Sequence, residues 1–149
     1  MVNAEPVYVD PSALTHLYLH QPGSREIHLW RARTKGCLPV THHGHAEMVN
    51  GLCLAAFRGE RTQAETDKAL SNLEADFIDG HLEQVDILWR AALNRAAELS
   101  RSHTPTLGTR AADVLHVACA LELKLRHFLT FDDRQRKLAA AVGLKVIKL

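Results

Sequence analysis

Cysteine is scarce in this chain, and the three that occur, Cys37, Cys53 and Cys119, are odd in number and widely spaced. They form neither a disulfide framework nor a CxxC motif, so a reduced, cytoplasmic protein is expected. Long apolar runs are missing too. None approaches the roughly 20 residues that a membrane-spanning helix requires, and no charged-then-apolar leader precedes the first apolar segment. No membrane association is therefore expected. The glycine-loop signatures GxGxxG and GxxxxGK[ST] do not occur, which argues against dinucleotide-binding and P-loop folds. A dominant sign of charge is also absent, because 18 Lys and Arg face 17 Asp and Glu for a net +1. If four of those acids share one pocket, 18 basic residues remain against 13 acidic ones, and the rest of the surface carries about +5.

What is present suits a folded domain. The 149 residues are 46% hydrophobic and 23% charged, and the charges are dispersed. Such a chain supports one globular domain over 1–149 with a real core. Repeats, linkers and low-complexity segments are not apparent.

"PVYVD" (6–10) reads as a short strand, and Pro11 suits the first turn of a helix capped by Asp10. Ala13, Leu14, Leu17 and Tyr18 give that helix an apolar face. "SREIHLWRARTKG" (24–36) predicts a second helix ending at Gly36, and "CLPVT" (37–41) a strand. A longer helix is expected from Gly44 to Arg58 with Met48, Val49 and Leu52 inward. Another spans Thr62 to Ile78, opened by the capping-box pair Thr62 and Glu65. "LEQVDIL" (82–88) reads as a strand. Helix is expected again over Trp89–Ser100 and, after a turn at "HTPTLG", over Thr109–Leu123. "HFLTF" (127–131) and "KVIKL" (145–149) close the chain as strands. In the intervening segment Arg134, Gln135, Arg136 and Lys137 read as a solvated helix face. Alternating βα units without hairpin signals predict an α/β fold with a mainly parallel central sheet covered by helices.

In such a sheet the carboxyl ends of the strands are the default site. Asp10 ends the first strand and Asp132 the penultimate one, while Glu47 and Asp113 fall in the first turns of helices that follow strands or turns. Taken singly, Asp10 and Asp132 are each better accounted for as helix caps. Asp113 lies in "GTRAADVLHVACAL", apolar nearly all round, where a carboxylate is costly without a partner. Several carboxylates in one pocket repel unless a cation joins them, and oxygen donors suit Mg²⁺ or Mn²⁺. The residues by themselves imply an acidic metal site on an α/β domain.

The segments "VYVDPSAL", "EMVN", "GTRAADVLHVACAL" and "FLTFDDRQ", in that order and spacing, resemble the PIN domain, specifically the VapC-type toxins of toxin–antitoxin pairs. The resemblance runs nearly end to end and implies a three-layer α/β/α fold. It also implies a metal-dependent endoribonuclease acting on single-stranded parts of structured RNA such as tRNA or rRNA. Asp10, Glu47, Asp113 and Asp132 would be the catalytic acids, holding Mg²⁺ or Mn²⁺ for in-line hydrolysis of a phosphodiester. Ser12, Asn50 and Thr130 would orient those carboxylates. Arg110, His116 and Arg134 would be able to meet RNA, although a plain salt bridge accounts for Arg110 and a packed helix histidine for His116. Implied partners are the RNA, a cognate antitoxin and a second copy of the chain, with Leu29, Trp30, Leu70, Leu73 and Phe77 as contact surface or as core. Lys124 departs from the family in standing where a glycine helix stop is common.

Other readings have less support. His42, His43 and His45 cannot share one helix face, and HExxH is absent, so zinc is not expected. A receiver domain would show adjacent acids after the first strand, where Asp10 is followed by proline. A DxD phosphatase would need an acid where Ser12 stands. The main rival is a PIN-like module that binds RNA or protein without cutting.

Overall fold

The computed structural model describes residues 5–149; the first four residues of the expected 1–149 domain lie outside the described residues. In chain order the elements are β1 (Val7–Val9), α1 (Pro11–Leu14), a 3-10 turn (Thr15–Leu17), α2 (Ser24–Arg33), β2 (Leu38–Thr41), α3 (His42–Phe57) and α4 (Gln63–Ile78). They continue with β3 (Leu82–Val85), α5 (Trp89–Leu107), α6 (Ala111–Glu122), β4 (His127–Leu129), α7 (Asp133–Ala141) and β5 (Lys145–Val146). Two compact units divide them, one built on Pro11–Val85 and the other on Glu5–Asp10 with Asp86–Lys148.

In the first unit β2 pairs parallel with β3, Leu38 opposite Leu82 and Thr41 opposite Val85. Thr41 then caps α3, its hydroxyl accepting the Gly44 N–H at 2.9 Å. Gly44 suits the tight space there, since a Cβ would sit 3.2 Å from Thr41 Oγ1 and 3.3 Å from Pro11 Cγ. Met48, Leu52 and Ala55 form the buried stripe of α3 at helical spacing. The expected capping box is formed in full: the Thr62 hydroxyl accepts the Glu65 N–H, and the Glu65 carboxylate accepts the Thr62 N–H.

In the second unit β1, β4 and β5 form a parallel sheet in that order, with Val7, Tyr8 and Val9 opposite His127, Phe128 and Leu129. Tyr8 stacks flat on Phe128 with ring centroids 5.5 Å apart. Val114, Val117 and Ala120 of α6 and Leu138 and Ala139 of α7 complete that core. Full burial of a side chain such as Phe128 contributes about 1.5–3 kcal/mol. Every strand pairing is parallel, as the alternation of strands and helices predicted. No helix among the described residues is long and apolar enough to cross a membrane.

The expected end of α5 is overturned. "HTPTLG" is not a turn between helices: α5 runs through Pro105 to Leu107. Pro105 lies in the last turn, where its missing N–H forfeits one hydrogen bond. Trp89, Ala96, Leu99 and Leu107 pack along the core of this unit and hold the helix to its end. The stop is Gly108, left-handed at φ 66°, whose N–H reaches the Thr104 carbonyl at 2.8 Å.

Candidate metal centre

Asp10 leaves the sheet at the carboxyl end of β1. Its N–H continues the ladder to the Leu129 carbonyl at 2.9 Å, yet its side chain has nowhere apolar to go. The residue is only 4% exposed, and its Oδ1 accepts a hydrogen bond from Gln135 Nε2 at 2.9 Å. Burial without such a donor or a cation would be costly.

Asp132 follows β4 and is the N-cap of α7, its Oδ1 accepting the Gln135 N–H at 2.7 Å. Capping is thus true of Asp132, but it engages only one oxygen. The other, Oδ2, lies 4.0 Å from Arg110 Nη2. Asp133 is exposed and pairs with Arg136, so of the two adjacent aspartates only the first faces the other acids.

Asp113 stands in the first turn of α6, where the helix dipole favours a negative charge. Its Oδ2 accepts from Arg110 Nε at 3.0 Å. Arg110 is the N-cap position of that helix, and its side chain remains 77% exposed. Its guanidinium is pushed above its ordinary pKa, first by the hydrogen bond and charge of Asp113, against slight desolvation, and further by the charges of Asp132 and Asp10. All three acids therefore act on one cationic group. That guanidinium contributes one positive charge against three negative ones. Carboxylate oxygens from two strand ends and a helix start are the donor chemistry of hard divalent cations. The donor set of this unit fits Mg²⁺ or Mn²⁺.

Thr130, buried after β4, accepts the Asp132 N–H on its hydroxyl at 3.1 Å and donates to Gln135 Oε1 at 2.6 Å. His116 is 2% exposed and shares a 2.7 Å hydrogen bond through Nδ1 with the Tyr8 hydroxyl. That places it in the core, tying α6 to β1. Arg134 is exposed and donates to the Gly108 carbonyl at 3.2 Å. Glu47, Ser12 and Asn50 belong to the first unit. Glu47 is half-buried on α3, Asn50 lies exposed three residues further on, and Ser12 is exposed on α1 with its carbonyl accepting the Thr15 hydroxyl at 2.7 Å.

Sequence reasoning missed Gln135. Instead of joining a solvated face it is 0% exposed. The signal was available in its spacing: Gln135, Leu138 and Ala139 fall at i, i+3 and i+4 and share the buried face of α7. Of the apolar residues expected as partner surface, Leu73 is core, whereas Leu29 is exposed. Leu70 and Phe77 line a groove of about 520 Å³ with His45, Val49, Glu74 and Ile78.

Parallel strands with helices, and Asp10 and Asp132 following β1 and β4, define an α/β domain with acids at its strand ends. The PIN domain family model matches residues 7–141, and the chain belongs to that family. The three-layer α/β/α class expected from the sequence comes with that membership. The fold is similar to a chain of FitAcB from Neisseria gonorrhoeae, at 19% identity and TM-score 0.66, over 95% of this chain and 96% of that one. It is also similar to a chain of VapBC2 from Rickettsia felis, solved bound to a DNA fragment from their promoter. There the identity is 13% and the TM-score 0.62, again over 95% of this chain and 96% of that one. No curated protein matches the chain.

Proposed function

We propose that this chain is a single PIN domain over residues 1–149 that acts as a metal-dependent endoribonuclease, a cytoplasmic toxin of the VapC type. The observation that carries the reading is the buried Asp10 carboxylate, tied through Gln135 to Asp113 and Asp132, whose own carboxylates lie against the Arg110 guanidinium. Asp10, Glu47, Asp113 and Asp132 would hold Mg²⁺ or Mn²⁺. That ion supplies an activated water and neutralises charge for in-line hydrolysis of an RNA phosphodiester.

The chain's own residues do the rest. Thr130 steadies Asp132 and Gln135 through its hydroxyl, and by the family pattern Ser12 and Asn50 would have the same orienting role. Arg110, exposed and hinged at the start of α6, is free to turn from Asp113 to a phosphate of the bound strand. Arg134, on the first turn of α7, extends the same basic rim. His116 anchors α6 through Tyr8. The substrate class is the single-stranded parts of tRNA or rRNA. The partners are a second copy of the chain and a cognate antitoxin whose side chain enters the acidic groove. The fold likeness to FitAcB and VapBC2 chains supports the toxin reading.

The test is cleavage of a mixed tRNA and rRNA pool by purified protein in Mg²⁺, Mn²⁺ or EDTA, beside Asp10→Asn and Asp113→Asn. Discrete metal-dependent cuts that vanish in both variants are expected. A wild type that binds RNA or a protein partner yet stays silent in every metal would make it a binding module without nuclease activity.

A further inference from the structure

Gln135 occupies the third position of α7, where a complete capping box would turn its side chain back to the N-cap N–H. Here the Asp132 N–H is already taken by the Thr130 hydroxyl. The Gln135 amide turns inward instead and is wholly buried. Its hydrogen bonds reach Asp10, Asp113 and Asp132, the three candidate acids of this unit. The backbone N–H donates to Asp132 Oδ1 at 2.7 Å, and Nε2 donates to Asp10 Oδ1 at 2.9 Å and to the Asp113 carbonyl at 3.1 Å.

The direction of the amide is fixed by its partners. The Asp113 carbonyl can only accept, so the NH2 end of the amide faces it and Asp10, and Oε1 is left to take the Thr130 proton at 2.6 Å. Both ends of the amide are thereby assigned. A neutral donor also suits the place chemically. It holds the Asp10 carboxylate still while leaving its negative charge for a cation, whereas a lysine or arginine there would compete for it.

We infer that Gln135 is the positioning residue of the acidic site, setting the Asp10 carboxylate and the start of α6 through an amide steadied by Thr130. The inference rests on the reading of these acids as a metal site. Its test is calorimetric titration of metal-free protein with Mn²⁺ for wild type, Gln135→Met, Thr130→Val and Thr130→Ser. Thermal unfolding in EDTA and RNA cleavage are run beside it.

Gln135→Met keeps the length and loses the donors, and should weaken Mn²⁺ binding roughly 10- to 100-fold. Thr130→Val leaves Oε1 without its donor and should weaken binding in the same direction, by less. Thr130→Ser restores the hydroxyl and with it the wild-type affinity. A merely structural glutamine would lower the unfolding temperature and leave the Mn²⁺ affinity of the folded protein unchanged, and that result overturns the inference. If Gln135→Met fails to fold, the threonine pair decides, and equal affinities for the Val and Ser variants overturn it. A wild type that takes no Mn²⁺ overturns it together with the metal reading. A wild type that binds Mn²⁺ but cuts no RNA removes the nuclease reading alone, and the affinities still decide the role of Gln135.

Discussion

On the proposed reading, Asp10 serves a site at the expense of the fold. It is buried at 4% exposure beside a neutral amide that also reaches the Asp113 backbone carbonyl. Burying a charged side chain costs stability when no cation is bound beside it. Asp10→Asn keeps the shape and an acceptor for Gln135 while removing the charge. Metal-free Asp10→Asn protein should therefore be more stable than wild type by about 1 kcal/mol, which for a chain of this size raises the unfolding midpoint by roughly 2–4 °C. Mn²⁺ at a hundred times its dissociation constant should stabilise wild type by about 2.7 kcal/mol and the variant by much less. Thermal unfolding with and without Mn²⁺ reads both. A variant less stable than wild type in EDTA would mean that the Asp10 charge serves the fold. At this scale the acids were legible because strand ends and an over-apolar helix mark them. Gln135 was not, because its charged neighbours gave the whole run the look of a solvated face, and only its register with Leu138 and Ala139 betrays it.

Helix ends are where the sequence misled and where it was most informative. The proline and glycine of "HTPTLG" read as a turn, yet only the glycine breaks α5, since a proline in a last turn forfeits little against a packed stripe. Lys124 tells the opposite story. It stands where a glycine helix stop was expected, and it adopts the glycine conformation, φ 58°, the only non-glycine positive φ among the described residues. The same end is built regardless: the Lys124 N–H reaches the Leu121 carbonyl, and the Leu125 N–H reaches that of Ala120, both at 3.0 Å. A side chain in the left-handed region costs about 1–2 kcal/mol, part of which glycine returns through its freer unfolded chain. Lys124→Gly should accordingly stabilise the protein by about 0.5–1 kcal/mol without touching the acids. Denaturant unfolding measures this directly, and a midpoint at or below that of wild type would show that the lysine makes a compensating contact.

At the scale of the molecule the class of fold was legible and its hydrogen-bonded grouping was not. Alternation of short strands with helices, without hairpin turns, is enough to specify parallel pairing. Strands of two to four residues carry too little pattern to say which will pair, and the β2–β3 ladder and the β1–β4–β5 ladder had to be seen. Charge behaves similarly. A net charge of +1 over the whole chain says little about RNA, because it sums a gathered set of acids with a basic remainder. If that separation matters, neutralising acids should improve binding while abolishing cutting. Each Asp→Asn change raises the net charge by one, so Asp10→Asn combined with Asp113→Asn carries +3 against the +1 of wild type. In EDTA this double variant should bind a single-stranded RNA several-fold more tightly than wild type at low salt. The two should converge as salt screens the difference within about one Debye length. The slope of log affinity against log salt should be alike for both proteins at high salt, since it counts the phosphates met by Arg110, Arg134 and their neighbours, not the acids. Filter binding across a salt series measures it. Weaker binding by the double variant at every salt would mean that the carboxylates themselves grip the RNA, and that the basic rim is not what brings the strand to the site.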